Sequence, residues 1–395
     1  MDSPLDTARD LFFQGIEHFE KGRLEPARAA FEKSLALAPG RPSVLGNLGI
    51  TLFRMGQFTD AIPLLRQSTA GDPAYADGWA GLAMAHEALG QWRDMLPALE
   101  RACSLRPQQA PLWFKKSQAL LRLGQSRPAM QALDHALEID PQYAEAWTAR
   151  GSLLRELNRL PEAAQCFEKA LDCGGDRELN TYYLSSVRES AAAPPPSRRY
   201  VEGLFDDYAQ DFQNHVVEGL RYQGHECLLR PLIDSGRRFQ RALDLGCGTG
   251  LCAPLLHTIA DAVDGVDISR AMLEQAGKLG LYRQLTHADI ASCLEAETQP
   301  ADLISAADVF IYVGDLNAIF LAVRRILAPQ GCFAFTVELS EDSDLRLMPS
   351  LRYAHSEVYV RDLAGKHGFR IERMDRAAIR YDQTRPISGL YVYLT

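Results

Sequence analysis

Along the first 175 positions apolar residues recur at helical spacing, and the same landmarks return every 34 residues. Pro39, Pro73, Pro107 and Pro141 share one phase, as do Trp79, Trp113 and Trp147 with Leu11 and Leu45. Gly22, Gly56, Gly90 and Gly124 mark a turn in each unit, with Asn158 in the fifth. A small position (Ala27, Ala61, Met95, Ala129, Ala163) precedes a large one by one helical turn (Phe31, Leu65, Leu99, Leu133, Phe167). The pattern predicts five helical hairpins from about Ala8 to Gly175, each turned at its glycine and ended by its proline. Stacked neighbours then bury what no hairpin can bury alone.

At Asp176 the period stops. Asp176–Ser190 keeps a helical apolar pattern (Leu179, Tyr182, Tyr183, Val187) and reads as a cap, so the repeat domain is placed at 8–190. AAAPPPS begins at Ala191, and 191–198 reads as a stiff linker of polyproline type. Residues 199–238 carry two or three amphipathic helices rich in aromatics. From 239 to 395 short apolar runs alternate with helical patterns, which predicts strands joined by crossover helices in a parallel sheet. The last two runs, Phe369–Tyr381 and Ile387–Leu394, suit a closing pair.

The chemistry concentrates in RALDLGCGTGLCAPLLHTIADAVDGVD, Arg241–Asp267. An apolar strand runs into Gly246, Gly248 and Gly250, a helix follows, and a second strand ends on Asp267, a carboxylate placed to accept both hydroxyls of a ribose. Glycines let a ligand lie against bare backbone. Two ligands suit this layout. Dinucleotide sites use G-x-G-x-x-G; here the spacing is G-x-G-x-G after an acid, Asp244, which would repel pyrophosphate and attract an ammonium group.

LDLGCGTG and the following GVDIS resemble motif I and the acidic loop of class I S-adenosylmethionine-dependent methyltransferases. The first half resembles the tetratricopeptide repeat, and the whole is most similar to predicted methyltransferases carrying such repeats, more distantly to the trans-aconitate type. The resemblance implies an α plus α/β chain: a helical solenoid, then a Rossmann-like, mostly parallel seven-stranded sheet with an antiparallel edge hairpin. It implies S-adenosylmethionine held by Asp244, Gly246, Cys247, Gly248, Asp267, Ile268, Met272, Asp289, Ile290 and Asp308. LFDDYAQDF resembles the lid helices of small-molecule members, with Tyr200 and Tyr208 on the cofactor and Phe212 on the substrate. Phe310, Arg352, Tyr353 and Glu338 are the further substrate residues it suggests; Tyr312, Asp315 and the general base His355 are the catalytic ones. The concave face of the repeats suggests Asn47, Arg54, Lys115, Gln118 and Arg122 as partner contacts.

Composition narrows the classes. A net charge of −9 argues against a general nucleic-acid binder, and no apolar run reaches the roughly 18 residues of a membrane span. The start is polar and acidic, unlike a secretory signal, and eight cysteines without a C-x-x-C pair suit reduced thiols and no metal site, so the expected location is cytoplasmic. The loops typical of amino-methylating DNA enzymes, cytosine C5 enzymes and arginine methyltransferases are absent; ADVF stands where the first would be. The expected function is methyl transfer to a small molecule or peptide, with the repeats recruiting substrate, partner or a second copy. The alternative is a repeat adaptor whose second half is a non-catalytic sensor or platform.

Overall fold

Residues 3–188, 196, 198–208, 222–341, 344–382 and 385–395 are described by a computed structural model, the side chains of 199, 207, 208 and 382 excepted. The contacts divide the chain into two units, Met1–Gly175 and Asp176–Thr395.

The first unit is five helix pairs: α1 (Pro4–Glu20) with α2 (Leu24–Leu37), α3 (Pro42–Arg54) with α4 (Phe58–Gly71), and α5 (Ala76–Ala88) with α6 (Trp92–Leu105). The last two are α7 (Ala110–Arg122) with α8 (Ser126–Ile139) and α9 (Ala144–Glu156) with α10 (Leu160–Asp172). The turn glycines adopt left-handed backbone, φ 66° to 77°, and Asn158 does the same at 58°, being one of the few other residues that tolerate it. The large position is fully buried in all five pairs. A Cβ on Gly15, Gly49 or Gly151 would fall 2.4–2.6 Å from Phe31, Leu65 or Phe167, so in those pairs the ring or branch occupies the space that a facing glycine leaves. Each landmark tryptophan donates its indole N–H to the landmark proline carbonyl six residues earlier, at 3.1, 2.9 and 2.9 Å. The period is therefore a repeated hydrogen bond as well as a repeated contact.

The second unit opens with α11 (Arg177–Val187), α12 (Arg198–Tyr208) and α13 (Gly224–Asp234). An alternating segment follows: β1 (Phe239–Leu245), α14 (Ala253–Ile259), β2 (Ala260–Asp267), α15 (Arg270–Lys278), β3 (Gln284–His287), α16 (Ile290–Ala296), β4 (Ala301–Ala306), α17 (Asn317–Ile326) and β5 (Leu327–Leu339). The chain closes with β6 (Leu345–Leu347), β7 (Tyr353–His355), α18 (Glu357–Lys366), β8 (Ile371–Asp382) and β9 (Arg385–Leu394). Strands β3, β2, β1, β4 and β5 lie side by side in that order, all parallel. On the other edge of β5, β9 runs antiparallel and carries β8. The central strand β4 and the second half of β5 are almost wholly buried, as the middle of a sheet covered on both faces requires.

Two features depart from expectation. The described sheet has nine strands, because β7 extends the end of β5 (Glu338 opposite Ala354) and β6 pairs with β7. Three-residue strands carry no readable period. The helix expected to cap the repeats belongs with the second unit: Tyr182 of α11 is 1% exposed, packed with Leu347, Leu351 and Tyr353. No described helix is long and apolar enough to cross a membrane.

Candidate functional site

The loops that leave β1, β2, β3 and β4 converge on one cavity of about 750 Å³. In open parallel sheets ligands bind in the crevice beyond the carboxyl ends of the strands, where the strand order reverses. Here β1 and β4 diverge to opposite sides, and the glycine turn sits at that point.

Gly246, Cys247, Gly248, Asp267, Ile268, Met272, Asp289, Ile290 and Asp308 all line the cavity. Gly246 has φ 65°, and a Cβ there would meet Val309 at 2.2 Å. Gly248, at φ 53°, has nothing within 4 Å of its Cβ position, so a side chain there would stand in open cavity space. Asp267 is 7% exposed and accepts N–H bonds from Gly248 and Ser269, both 2.8 Å. Burial nevertheless holds its carboxyl above the usual range. Asp289 caps α16 through Ser292 N–H at 2.9 Å, and Arg198 lies 3.9 Å away. Burial opposes its charge, but the Ser292 bonds and Arg198 outweigh that and lower its carboxyl.

Asp244 departs from its expected role. It is 1% exposed and not among the cavity-lining residues; its oxygens accept from Tyr282 Oη at 2.8 Å and Ser305 Oγ at 3.0 Å. Burial pushes its carboxyl up to about 6 against those hydrogen bonds. It braces the turn from behind.

Helix α12 supplies one wall. Val201, Leu204 and Phe205 share a helical face and line the cavity. Asp206 ties the helix down by accepting from Ser269 Oγ (2.5 Å) and Ala271 N–H (3.3 Å); Glu202 pairs with His287 at 3.4 Å. Tyr200 is on another face, its ring tilted against Tyr182 at 5.7 Å and edge-on to Tyr183 at 5.9 Å, and is not a lining residue. Tyr208 ends the helix with its side chain outside the description, and Phe212 lies outside the described residues.

The remaining wall is polar. Tyr312 and Arg352 line it, hydrogen-bonded to one another, and Phe205 meets the Tyr312 ring edge-on at 5.2 Å. Asp308 holds φ 57° and accepts from Arg380 at 2.7 Å; Arg380 also donates to Glu338 at 2.5 Å. Burial raises both carboxyls even so. Arg380 thus bonds both carboxylates, while Arg352 is hydrogen-bonded to the Tyr312 hydroxyl and shares the charge of Asp308 and Glu338 at longer range.

Five expected site residues are elsewhere. His355 is fully buried off the cavity, with Nε2 2.6 Å from the Gly314 carbonyl. A carbonyl can only accept, so Nε2 carries the proton. Burial lowers the imidazole to about 4, which leaves a structural pin. Asp315 accepts from Tyr359 Oη at 2.8 Å and from Asn317 N–H at 3.0 Å, starting α17. Phe310 is fully buried among Phe333 and Phe335, Tyr353 packs with Tyr182, and Glu338 stands behind Arg380.

Sequence reasoning missed Arg198, Tyr222, His225, Thr249, Arg380 and Tyr381, all of which line the cavity. Arg380 reads as surface in an edge strand; the register shift between Ala378 and Arg380 turns it inward, as bulges do. His225 lies parallel to Tyr222 at 5.4 Å, and Gly224 leaves the space that ring needs, since a Cβ would come within 2.6 Å of it.

In the first unit the suggested partner contacts are already engaged: Lys115 with Glu87 at 2.7 Å, Arg54 over Phe19 at 4.4 Å, Arg122 over Trp92 at 5.6 Å, and Asn47 with its own backbone at Ser43. Gln118 is half-buried.

A family model described as a methyltransferase domain matches residues 148–373, and three tetratricopeptide-repeat models match 43–70, 76–119 and 114–178. The malonyl-[acyl-carrier protein] O-methyltransferase of Legionella pneumophila is 33% identical over 134 residues, 32% of this chain and 46% of that protein. The trans-aconitate 2-methyltransferase of Pseudomonas aeruginosa is 36% identical over 99 residues, 24% of this chain and 34% of that one. The chain spans between 34% and 61% of the length of such curated relatives. A crystal structure of MamA protein is 25% identical, covering 42% of this chain and 92% of that one, with a TM-score of 0.41. With the methyltransferase-domain model matching more than half of its length, on top of tetratricopeptide repeats, the chain belongs to the methyltransferase-domain family.

Proposed function

We propose that the second unit transfers a methyl group from S-adenosylmethionine to a small-molecule or peptide acceptor that presents an anionic group to Arg352. One observation carries the reading: the glycine turn, Asp267 and Asp289 share a cavity with an arginine that is hydrogen-bonded to a hydroxyl, its nearby carboxylates being bonded to Arg380. Asp308 and Glu338 lie within electrostatic reach of Arg352 but are bonded to Arg380, so an acceptor carboxylate would pair with the Arg352 guanidinium directly. The relatives support the reaction by name, and one is named for transfer to oxygen.

S-adenosylmethionine, when bound, supplies a sulfonium methyl carbon open to in-line attack. Asp267 would accept from the ribose hydroxyls, Ile268 and Ile290 would enclose the adenine with Asp289 at its amino group, and the bare backbone of Gly246–Gly248 would let the methionine portion approach. Arg352 and Tyr312 would fix the acceptor, and α12 would keep water out, so that alignment does most of the work. A carboxylate acceptor needs no general base, which agrees with a site whose one expected base, His355, is off the cavity. The repeats are read as the module that recruits substrate or partner.

Calorimetry with S-adenosylmethionine tests the first half: the wild type binds, and Asp267→Ala lowers affinity at least tenfold, the scale of losing charge-assisted hydrogen bonds of about 1.5–3 kcal/mol. Tight NAD binding without S-adenosylmethionine binding sinks it. Radiolabelled methyl transfer to malonate, to trans-aconitate and to the small-molecule and peptide fractions of a cell extract tests the second half. Label released as methanol by mild alkali marks a carboxyl ester; cofactor binding with no transfer to any fraction favours a non-catalytic platform.

A further inference from the structure

Arg352 is held from outside the cavity. Its neighbour Leu351 sits at φ 63°, in left-handed backbone that a leucine rarely adopts. Such a conformation costs about 1–3 kcal/mol and persists only where the surroundings over-determine it. Two backbone bonds close the turn, Leu351 N–H to Met348 at 2.9 Å and Met348 N–H to the Arg352 carbonyl at 2.8 Å. The third restraint comes from far away in sequence: Tyr182 Oη, on α11, donates to the Leu351 carbonyl at 2.7 Å. Tyr182 is 1% exposed, and burial pushes its phenol far above the usual range, so it stays a donor. Its ring also meets Tyr353, on the other side of Arg352, at 6.4 Å, and Tyr200 of α12 at 5.7 Å.

We propose that Tyr182, on a helix that does not touch the cavity, is a positioning residue for Arg352 and so sets how tightly the acceptor is held. This rests on the reading of Arg352 as the acceptor's anion contact. The hydroxyl fixes the carbonyl of the strained residue, the peptide plane of 351–352 fixes the Arg352 backbone, and the guanidinium is thereby delivered to Tyr312. The element acting on the substrate residue is then the first helix after the repeats.

The test uses the full chain carrying Tyr182→Phe, which keeps the ring and its packing and removes only the donor. Hydrogen exchange read by mass spectrometry should rise in the peptide covering 345–356 and stay unchanged around 244–250. With whichever carboxylate acceptor proves active, KM should rise roughly five- to tenfold, the effect of one buried carbonyl left unpaired. The turnover number and the affinity for S-adenosylmethionine should stay within about twofold, since uniform acceptor binding is what has been lost. In an Arg352→Gln background Tyr182→Phe should have no further effect on KM. Unchanged exchange at 345–356, an unchanged KM, or a change spread over the whole unit overturns the proposal. A wild type that binds the cofactor and methylates no acceptor defeats the functional reading instead, and the exchange result then decides on Tyr182 alone.

Discussion

His355 shows how far a residue's type can mislead about its work. A histidine in RYAHS, after a central strand, is where a general base would be useful; the structure seals it off and gives its Nε2 proton to Gly314. The consequence is thermodynamic. Its folded value of about 4 lies below the ordinary 6.5, so between those values the unfolded chain binds the extra proton and stability rises with pH. On acidification the protein therefore loses up to about 3 kcal/mol from this one group. Asp244 runs the other way: its folded value of about 6, against 3.8, makes the folded state the better proton binder in nearly the same window. The two largely mask each other in the wild type. His355→Gln removes the first contribution, so its unfolding free energy should fall less steeply than the wild type's from pH 6.5 to pH 4. Parallel denaturation curves for the two proteins over that range would show that the imidazole titrates normally.

At the scale of elements, what was legible in the chain is what has a period or a fixed motif. The five hairpins follow from landmarks at constant spacing, and β1, β2 and Asp267 from one glycine turn with its flanking apolar runs. The residues that were hidden depend on register and on which helical face turns inward. Tyr200 and Phe205 belong to the same aromatic helix, yet Tyr200 faces Tyr182 while Phe205, little more than a turn on, faces the cavity. The aromatic pattern alone does not say which ring does which. Phe205 is therefore the residue through which α12 can be tested as a lid. It is half-buried and packs on Tyr312, so Phe205→Ala removes little buried area; melting temperature should fall by only a few degrees, the effect of about 1 kcal/mol. Methyl-transfer rate should fall at least tenfold, because α12 would no longer close over Tyr312 and Arg352. A rate within about twofold of wild type, or a melting loss large enough to account for the rate, removes α12 from the reaction.

At the scale of the whole chain, the boundary at 175/176 changes what an independent catalytic half must contain. A cut at the proline-rich stretch, where composition alone points, discards α11 and with it a fully buried tyrosine. Tyr200, Leu347, Leu351 and Tyr353 would lose the ring they pack against, and emptying a site of that size costs about 3–5 kcal/mol. That is a large share of the roughly 5–15 kcal/mol by which domains are stable. Three fragments separate the possibilities. Residues 176–395 should fold and bind S-adenosylmethionine within about threefold of the full chain, since every residue lining the cavity is present. Residues 198–395 should be markedly less stable or aggregate. Residues 1–175, with five complete pairs, should give a cooperative helical melt, since stacked repeats need only their neighbours. Circular dichroism and calorimetry on the three decide it. Equal stability of 176–395 and 198–395 would mean that α11 is an appendage, whereas an unfolded 176–395 would mean that the repeats are packing support rather than a recruiting arm.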